Sequence, residues 1–156
     1  MKVELRRATV KDAEALLEMQ KRAFAPLLEK YRDGELNPAR QSLGRLVEKL
    51  RREERYFYFV LWEGRTVGAL CVTDTGEPGG VKRISPLFIL PEYQGLGLAQ
   101  AAMLAAERLH GEHRWTLETI LQEPGNCHLY EKMGYRRTEE TTVVNERMTL
   151  IGYEKP

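Results

Sequence analysis

The chain has few cysteines, no long apolar run and no surplus of either charge. Each of these absences excludes some classes of protein. The two cysteines, Cys71 and Cys127, are too few for the disulfide framework of a small secreted protein. No apolar run reaches the roughly 18 residues that a membrane-spanning helix needs, and residues 1–7 lack the apolar core of a signal peptide. We therefore expect a cytoplasmic protein that does not associate with a membrane.

The charge is nearly balanced, with 24 basic and 23 acidic residues and a formal net charge of +1. The whole chain therefore lacks the excess of basic residues that is typical of nucleic-acid-binding proteins, and we expect no nucleic-acid partner. The basic pairs Arg51-Arg52 and Arg136-Arg137 have glutamates beside them and are interpreted as solvated faces. The three histidines lack the spacing of metal ligands, so we expect no metal site.

The 156 residues show no internal repeat, low-complexity tract or linker, so we predict a single domain over 1–156. The order of predicted elements is strand, two helices, three strands, helix, strand, helix and two strands. Apolar residues from Ala13 to Phe24 recur at helical spacing, Pro26 is expected to break or restart that helix, and Ser42 is expected to cap the next one. The predicted strands are 3–7, 56–62, 66–73, 81–90, 115–121, 135–142 and 147–153. This order predicts an α/β protein with a mixed sheet and helices on its faces.

One segment, residues 87–99, carries most of the functional information. It reads as a hydrophobic strand, a stop at Pro91, a turn with Gly95 and Gly97, and a helix that runs to His110. Such a turn directs several free backbone N–H groups to one place at the positive end of a helix dipole. Glycine has no Cβ, so an anion can approach the backbone closely. The segment therefore predicts a ligand that carries phosphate.

Two common phosphate loops do not fit this turn. A Walker loop needs a lysine at its end, and no lysine lies between Lys82 and Lys132. A Rossmann fingerprint needs a third glycine where Gln100 stands. The pattern that remains is Gln94-x-x-Gly97-x-Ala99 after Leu87-x-Ile89-x-Pro91, and it resembles the acyl-CoA pyrophosphate loop of the GNAT acyltransferase superfamily. The alternative is a tight turn from strand to helix that binds nothing.

This resemblance, which spans the chain in element order, implies a mixed, mostly antiparallel sheet of six to seven strands with helices on both faces. It also implies acetyl-CoA as co-substrate, with its pyrophosphate on the glycine turn. Pro86 and Pro91 interrupt the strand before the turn, so its backbone groups can pair with the amides of pantetheine. The implied cofactor-binding residues are Leu87, Phe88, Ile89, Gln94, Gly95, Leu96, Gly97, Leu98, Ala99, Gln100, Asn126 and Tyr130.

A second motif, the run 130–135, resembles the other GNAT signature, in which a tyrosine near the CoA sulfur is the general acid. Tyr130 takes this role by resemblance, and a neutral phenol suits it because it can give a proton to a departing thiolate. The family often has an asparagine where this chain has Glu123, and Asn126, one turn before Tyr130, is expected to replace its contact to the cofactor. Glu118, on the strand that neighbours the acyl site in the family, is the candidate base, with a surface ion pair as the alternative.

The resemblance implies an N-acetyltransferase that moves an acetyl group to a primary amine of a small molecule or peptide by direct transfer. A CoA-binding module without catalysis is the alternative, and a nucleotide switch lacks the acidic Mg²⁺ ligands that it needs. Substrate contacts are expected from 24–40 and from the last hairpin. The acceptor, the length of the acyl group and a homodimer stay open.

Overall fold

A computed structural model describes residues 2–34 and 37–156, so Met1, Glu35 and Leu36 of the predicted N-terminal and substrate segments lie outside the described residues. The strands are β1 (Glu4–Arg7), β2 (Arg55–Trp62), β3 (Arg65–Thr73), β4 (Lys82–Ile89), β5 (Trp115–Ile120), β6 (Arg136–Val143) and β7 (Thr149–Lys155). The helices are α1 (Ala13–Tyr31), α2 (Leu43–Leu50), α3 (Leu98–His110) and α4 (Pro124–Lys132), with short 3-10 turns at Val10–Asp12, Pro38–Arg40 and Pro91–Tyr93.

The strands form one seven-stranded sheet in the order β1-β2-β3-β4-β5-β7-β6. Neighbouring strands are antiparallel except β4 and β5, which are parallel and are connected through α3. Parallel neighbours need such a crossover because the chain must return to the same end of the sheet. The predicted mixed and mostly antiparallel sheet is confirmed.

Two hydrophobic layers cover the sheet on opposite faces. One layer packs α1 and α2 on alternate residues of the central strands, among them Phe57, Phe59 and Phe88. The other packs α3 and α4 on the residues between them, such as Tyr58, Val60 and Leu70. Because side chains alternate along a strand, the run of apolar residues in β2 and β3 serves both layers. Helices on both faces, as predicted, are therefore present.

The first helix differs from its prediction at Pro26. This residue lies inside α1, which runs unbroken from Ala13 to Tyr31, whereas a break was predicted. Pro26 is exposed, so the carbonyl of Arg22, which loses its usual N–H partner, lies on the solvent side of the helix. Buried residues on both sides of the proline, including Leu17 and Tyr31, hold the helix against the sheet and outweigh the local cost.

The predicted cap of the second helix agrees more closely with the structure. The Ser42 hydroxyl accepts a hydrogen bond from the backbone N–H of Arg45 at 3.2 Å, as expected of a helix cap. Both cysteines are free and buried. Within 2–34 and 37–156, no helix is long and apolar enough to cross a membrane, and no three His, Cys, Asp or Glu side chains are grouped as metal ligands would be.

Candidate active site

The sheet opens between its two parallel strands. Strand β4 pairs with β5 only at Lys82–Trp115 and Arg83–Thr116, and from Ile84 onward the described part of β5 no longer accompanies it. A bulge lies at the opening, because the register against β3 shifts between Val72–Ile84 and Leu70–Leu87. A bulge bends a strand and re-aims its residues. The result is a wedge in the sheet with one edge of β4 facing it.

The backbone of Ile89 faces this wedge. The N–H of Leu90 donates to the carbonyl of Val67 in β3 at 2.8 Å. Successive residues of a strand direct their backbone groups to opposite edges, so the groups of Leu87 and Ile89 point away from β3. The amide of Gln94 donates to the Ile89 carbonyl at 2.9 Å, which agrees with this orientation. The N–H groups of Leu87 and Ile89 are thus placed to meet a ligand that enters as an additional strand.

The glycine turn lies at the open end of the wedge. Gly95 and Gly97 have φ values of 80° and 81°, a left-handed conformation that residues with a Cβ rarely adopt. Gly97 begins α3 without a side-chain cap, and the first helical bond runs from the N–H of Ala101 to the Gly97 carbonyl at 3.1 Å. The N–H groups before Ala101 have no acceptor in their own helix, as at every helix start. These are the N–H groups that the sequence predicts to bind an anion.

A groove of about 530 Å³ connects the glycine turn to the β4 edge and continues to α4. Every predicted cofactor-binding residue lines it except Leu96. The Leu96 side chain is 45% exposed and lines a different surface hollow with Val3 and Leu104. Because Gly95 and Gly97 reverse the chain on both sides of it, its side chain is turned outward. Any contact of Leu96 with the cofactor therefore depends on its backbone N–H alone.

Helix α4 brings Asn126 and Tyr130 to the far wall of this groove. The two residues lie one helical turn apart, as expected, and Asn126 is exposed to the groove. The Tyr130 ring packs against Tyr135 and Tyr153, with ring centroids 6.2 and 6.1 Å away. Its hydroxyl has no hydrogen-bond partner among the side and main chains of 2–34 and 37–156, so it is available to a ligand.

Burial raises the pKa of Tyr130 to about 12, with a smaller contribution from Cys127. A phenol in this setting is protonated throughout the neutral pH range. Tyr130 is therefore a hydrogen-bond donor toward whatever occupies the groove, as a general acid must be.

Glu118 lies on the wall of a second, smaller cavity of about 220 Å³, which also contacts Leu87, Asn126 and Tyr130. Its carboxylate forms an ion pair with Arg83 at 2.9 Å, and both side chains are partly exposed. The ion pair agrees with the surface interpretation of Glu118, and its role as a base stays a prediction. It is ion-paired, and it shares a cavity with the candidate acid.

Glu123, which departs from the family pattern, turns away from the groove. Its carboxylate accepts hydrogen bonds from the Tyr31 hydroxyl and from the Lys30 ammonium, the latter at 2.6 Å. Burial alone would raise the pKa of Glu123, but these two bonds hold it below its usual range. Glu123 therefore fastens the start of α4 to the end of α1, and Asn126 is the polar residue of α4 that faces the groove.

The segments from which the sequence predicts substrate contacts line the two cavities, but the individual side chains could not be predicted. Phe24 and Leu27 from α1 line both cavities, and Phe24 packs edge-on against Phe88 with ring centroids 5.6 Å apart. Met148 and Leu150, from the last hairpin, close the smaller cavity. The helical spacing of apolar residues around Phe24 predicts that this side chain is buried. It does not show whether the side chain lines a binding cavity or belongs to the hydrophobic core.

A strand edge open to an amide-bearing ligand, next to a helix start open to phosphate, defines an acyl-CoA-binding protein. The Acetyltransferase (GNAT) family model matches residues 13–135, which is most of the chain. The chain belongs to this family. CoA or acetyl-CoA is its co-substrate, in agreement with the lining of the groove.

Solved structures share the fold at low sequence identity. An acetyltransferase from Thermus thermophilus is 20% identical, with 100% of this chain and 97% of that chain covered at a TM-score of 0.73. AAC(6')-Ib in complex with ribostamycin and coenzyme A is 21% identical, with 99% and 93% covered and a TM-score of 0.74. A chimera of the spermidine N-acetyltransferase SpeG from Vibrio cholerae and hSSAT is 17% identical, with 99% and 95% covered and a TM-score of 0.76. A comparison with curated protein sequences finds no significant match.

The glycine turn can be tested by changing Gly97 to glutamate. The new carboxylate would place bulk and negative charge where the pyrophosphate is expected, so CoA binding should be lost in calorimetry. The positive φ of Gly97 means that any side chain costs about 1–2 kcal/mol of stability. Gly97→Ala is therefore the matched control, since it has the same backbone strain without the charge, and it should lose much less affinity than Gly97→Glu. Equal CoA affinity in Gly97→Glu and the parent would contradict the assignment.

Proposed function

We propose that the protein transfers an acetyl group from acetyl-CoA directly to a primary amine of a small molecule or peptide. The observation that carries this proposal is the meeting of two groups at one cavity. Tyr130 from α4, Glu118 from β5 and Leu87 from the edge of the wedge all line this cavity. The shared lining supports a thioester held within reach of a candidate acid and a candidate base.

In the proposed reaction the amine nitrogen attacks the thioester carbon and a C–N bond forms. The negative charge that develops on the carbonyl oxygen is stabilised by the N–H of Ile89. The C–S bond then breaks, and the sulfur takes the proton of the Tyr130 hydroxyl, which solvent later replaces. Glu118 accepts the amine proton through a water molecule. The products are the amide and CoA with a thiol.

Tyr130 suits this step although its raised pKa makes it a weak acid. A thiol has an ordinary pKa of about 8.5, so proton transfer from Tyr130 to a solvated thiolate would be unfavourable. The same burial that disfavours a phenolate also disfavours a thiolate in the groove. The transfer therefore has to accompany C–S cleavage, when charge on the sulfur is still developing. Deprotonation of Tyr130 should reduce activity, but only near pH 12, because its pKa is about 12.

A CoA-binding module without catalysis was the alternative from the sequence, and membership of the acetyltransferase family favours the enzyme. The groove would be equally intact in such a protein, so CoA binding cannot distinguish the two functions. The open hydroxyl of Tyr130 favours the enzyme, because a binding role would not need an unpartnered donor there. A cytoplasmic location and a homodimer stay predictions.

The role of Tyr130 can be tested by removing its hydroxyl alone. Tyr130→Phe keeps the ring and its packing, so stability and CoA affinity should change little. Loss of the general acid should lower kcat by roughly 10²-fold on an accepted amine. Tyr135→Phe is the matched control, because that hydroxyl is buried without a hydrogen-bond partner in the described structure, and its removal should leave kcat unchanged. Unchanged turnover of Tyr130→Phe would show that the hydroxyl is idle.

The role of Glu118 can be tested by an isosteric change. Its ion pair with Arg83 is partly exposed and contributes at most about 1 kcal/mol, so Glu118→Gln should remain folded. If Glu118 accepts the amine proton, kcat/KM should fall and its profile against pH should change on the acidic side, with the basic side kept by Tyr130. Glu154→Gln, an exposed position of β7 outside the cavity, is the control. Superimposable profiles of Glu118→Gln and the parent would remove Glu118 from the mechanism.

A further inference from the structure

A third cavity, of about 590 Å³, lies between α2 and the face of the sheet. Its charged lining is entirely basic and consists of Arg40, Arg45, Lys49, Arg55 and Arg83. No aspartate or glutamate of the described residues lines it. The whole chain has 24 basic and 23 acidic residues, so this cationic cavity represents a local separation of charge.

Most of these charges lack a counter-ion. Arg83 is paired with Glu118, but Arg45, Lys49 and Arg55 have no carboxylate within 4.0 Å in the part of the chain that the structure describes. The Nε of Arg55 is buried and has no hydrogen-bond partner there. Burial, and after it the charge of Arg55, lowers the pKa of Lys49. Like charges held together at a half-buried site repel one another, so the cavity is electrostatically prepared for an anion.

The cationic cavity adjoins the cavity in which transfer is proposed. Arg83, Ser85 and Pro86 line both, and so do Asn37 and Pro38. Arg83 stands at the boundary, where its guanidinium pairs with Glu118. A molecule that spans the boundary would therefore meet the Glu118 carboxylate at one end and several cations at the other.

From this arrangement we infer that the acceptor is a primary amine that also carries an acidic group, a carboxylate or a phosphate. The acidic group occupies the cationic cavity, and the amine extends past Arg83 to Glu118 and the thioester. Guanidinium groups bind both kinds of anion through paired N–H donors. Polycationic amines are disfavoured because their remote charges would face the same arginines. The inference rests on the proposed function, since it names the acceptor class of that site.

The anion site can be tested without catalysis. Inorganic phosphate and glutarate, a dicarboxylate without an amine, would be titrated at constant ionic strength while the Nε–H resonance of Arg55 is followed by NMR. We expect a saturable shift, with affinity weakened about tenfold or more in the double variant Arg45→Gln/Lys49→Gln. Both positions lie on α2, where glutamine is a good helix former. Lys11→Gln/Lys21→Gln removes the same charge at exposed positions outside the cavity and should keep the affinity.

Acceptor preference is then measured as kcat/KM with acetyl-CoA. Three pairs of primary amines differ only in an acidic group or its neutral counterpart: β-alanine and β-alaninamide, 4-aminobutyrate and 4-aminobutanamide, and O-phosphoethanolamine and ethanolamine. Spermidine represents polycations. We expect each acidic acceptor to exceed its neutral counterpart by about tenfold or more, through KM rather than kcat, and spermidine to be the poorest. The Arg45→Gln/Lys49→Gln variant should lose this preference, and the control variant should keep it.

The outcomes separate the two proposals. A preference for O-phosphoethanolamine alone would identify phosphate as the acidic group, and a preference for β-alanine or 4-aminobutyrate would identify carboxylate. Spermidine as the best acceptor, or an acid preference that survives in the variant, would overturn the inference and leave the proposed function intact. Phosphate and glutarate binding that is absent or equal in parent and variant would also overturn it. Absence of transfer to every amine, with CoA still bound, would instead contradict the proposed function.

Discussion

The separation of β4 from β5 is the feature on which the rest of the site depends. Backbone N–H and C=O groups away from water need partners, and a strand in the middle of a sheet normally finds them on both neighbours. After Arg83 the wedge-facing groups of β4 have lost one neighbour. Part of the deficit is met inside the protein, where Gln94 donates to the Ile89 carbonyl. The N–H groups of Leu87 and Ile89 remain for a ligand with amides of its own.

The other parts of the site are arranged around this wedge. The glycine turn lies at its open end, so the phosphates and the amides of one extended molecule can be held together. Helix α4 places Tyr130 on the opposite side, and its position is fixed by Glu123, which is bonded to Lys30 and Tyr31 at the end of α1. Strand β5 presents Glu118 where the two strands begin to part. Each group comes from a different element, and the wedge is what they have in common.

The sequence predicted those features that depend on local patterns. Hydrophobic periodicity and turn residues were sufficient to predict the element order. The glycine turn indicated a ligand with phosphate, because glycines at a helix start leave backbone N–H groups open to an anion. Features that depend on contacts between residues far apart in the sequence could not be predicted. Pro26 reads as a helix breaker in isolation, but the burial of Leu17 and Tyr31 decides otherwise. The partner of Glu118 is 35 residues away at Arg83, and no local pattern links them.

The cationic cavity is a clearer example of a feature that could not be predicted from the sequence. Its charges come from the 3-10 turn Pro38–Arg40, from α2, from β2 and from β4. Glutamates beside those of α2 and β2, namely Glu48, Glu53 and Glu54, make the sequence look balanced. Only the fold separates the two signs, because it turns Arg45, Lys49, Arg55 and Arg83 toward one space. The proposed acceptor preference thus depends on how the fold assembles distant side chains, whereas most of the predicted cofactor-binding residues lie in one continuous segment, 87–100.

The most direct measurement is amide hydrogen exchange, resolved by residue with NMR, in the free protein and with saturating CoA. If pantetheine pairs with the open edge of β4, CoA should slow exchange at the N–H groups of Leu87 and Ile89 as well as at the start of α3. Adenosine 3′,5′-bisphosphate, which lacks pantetheine, should protect the start of α3 but not the strand edge. Unchanged exchange at Leu87 and Ile89 with CoA bound would contradict the account, since the wedge would then not hold the cofactor.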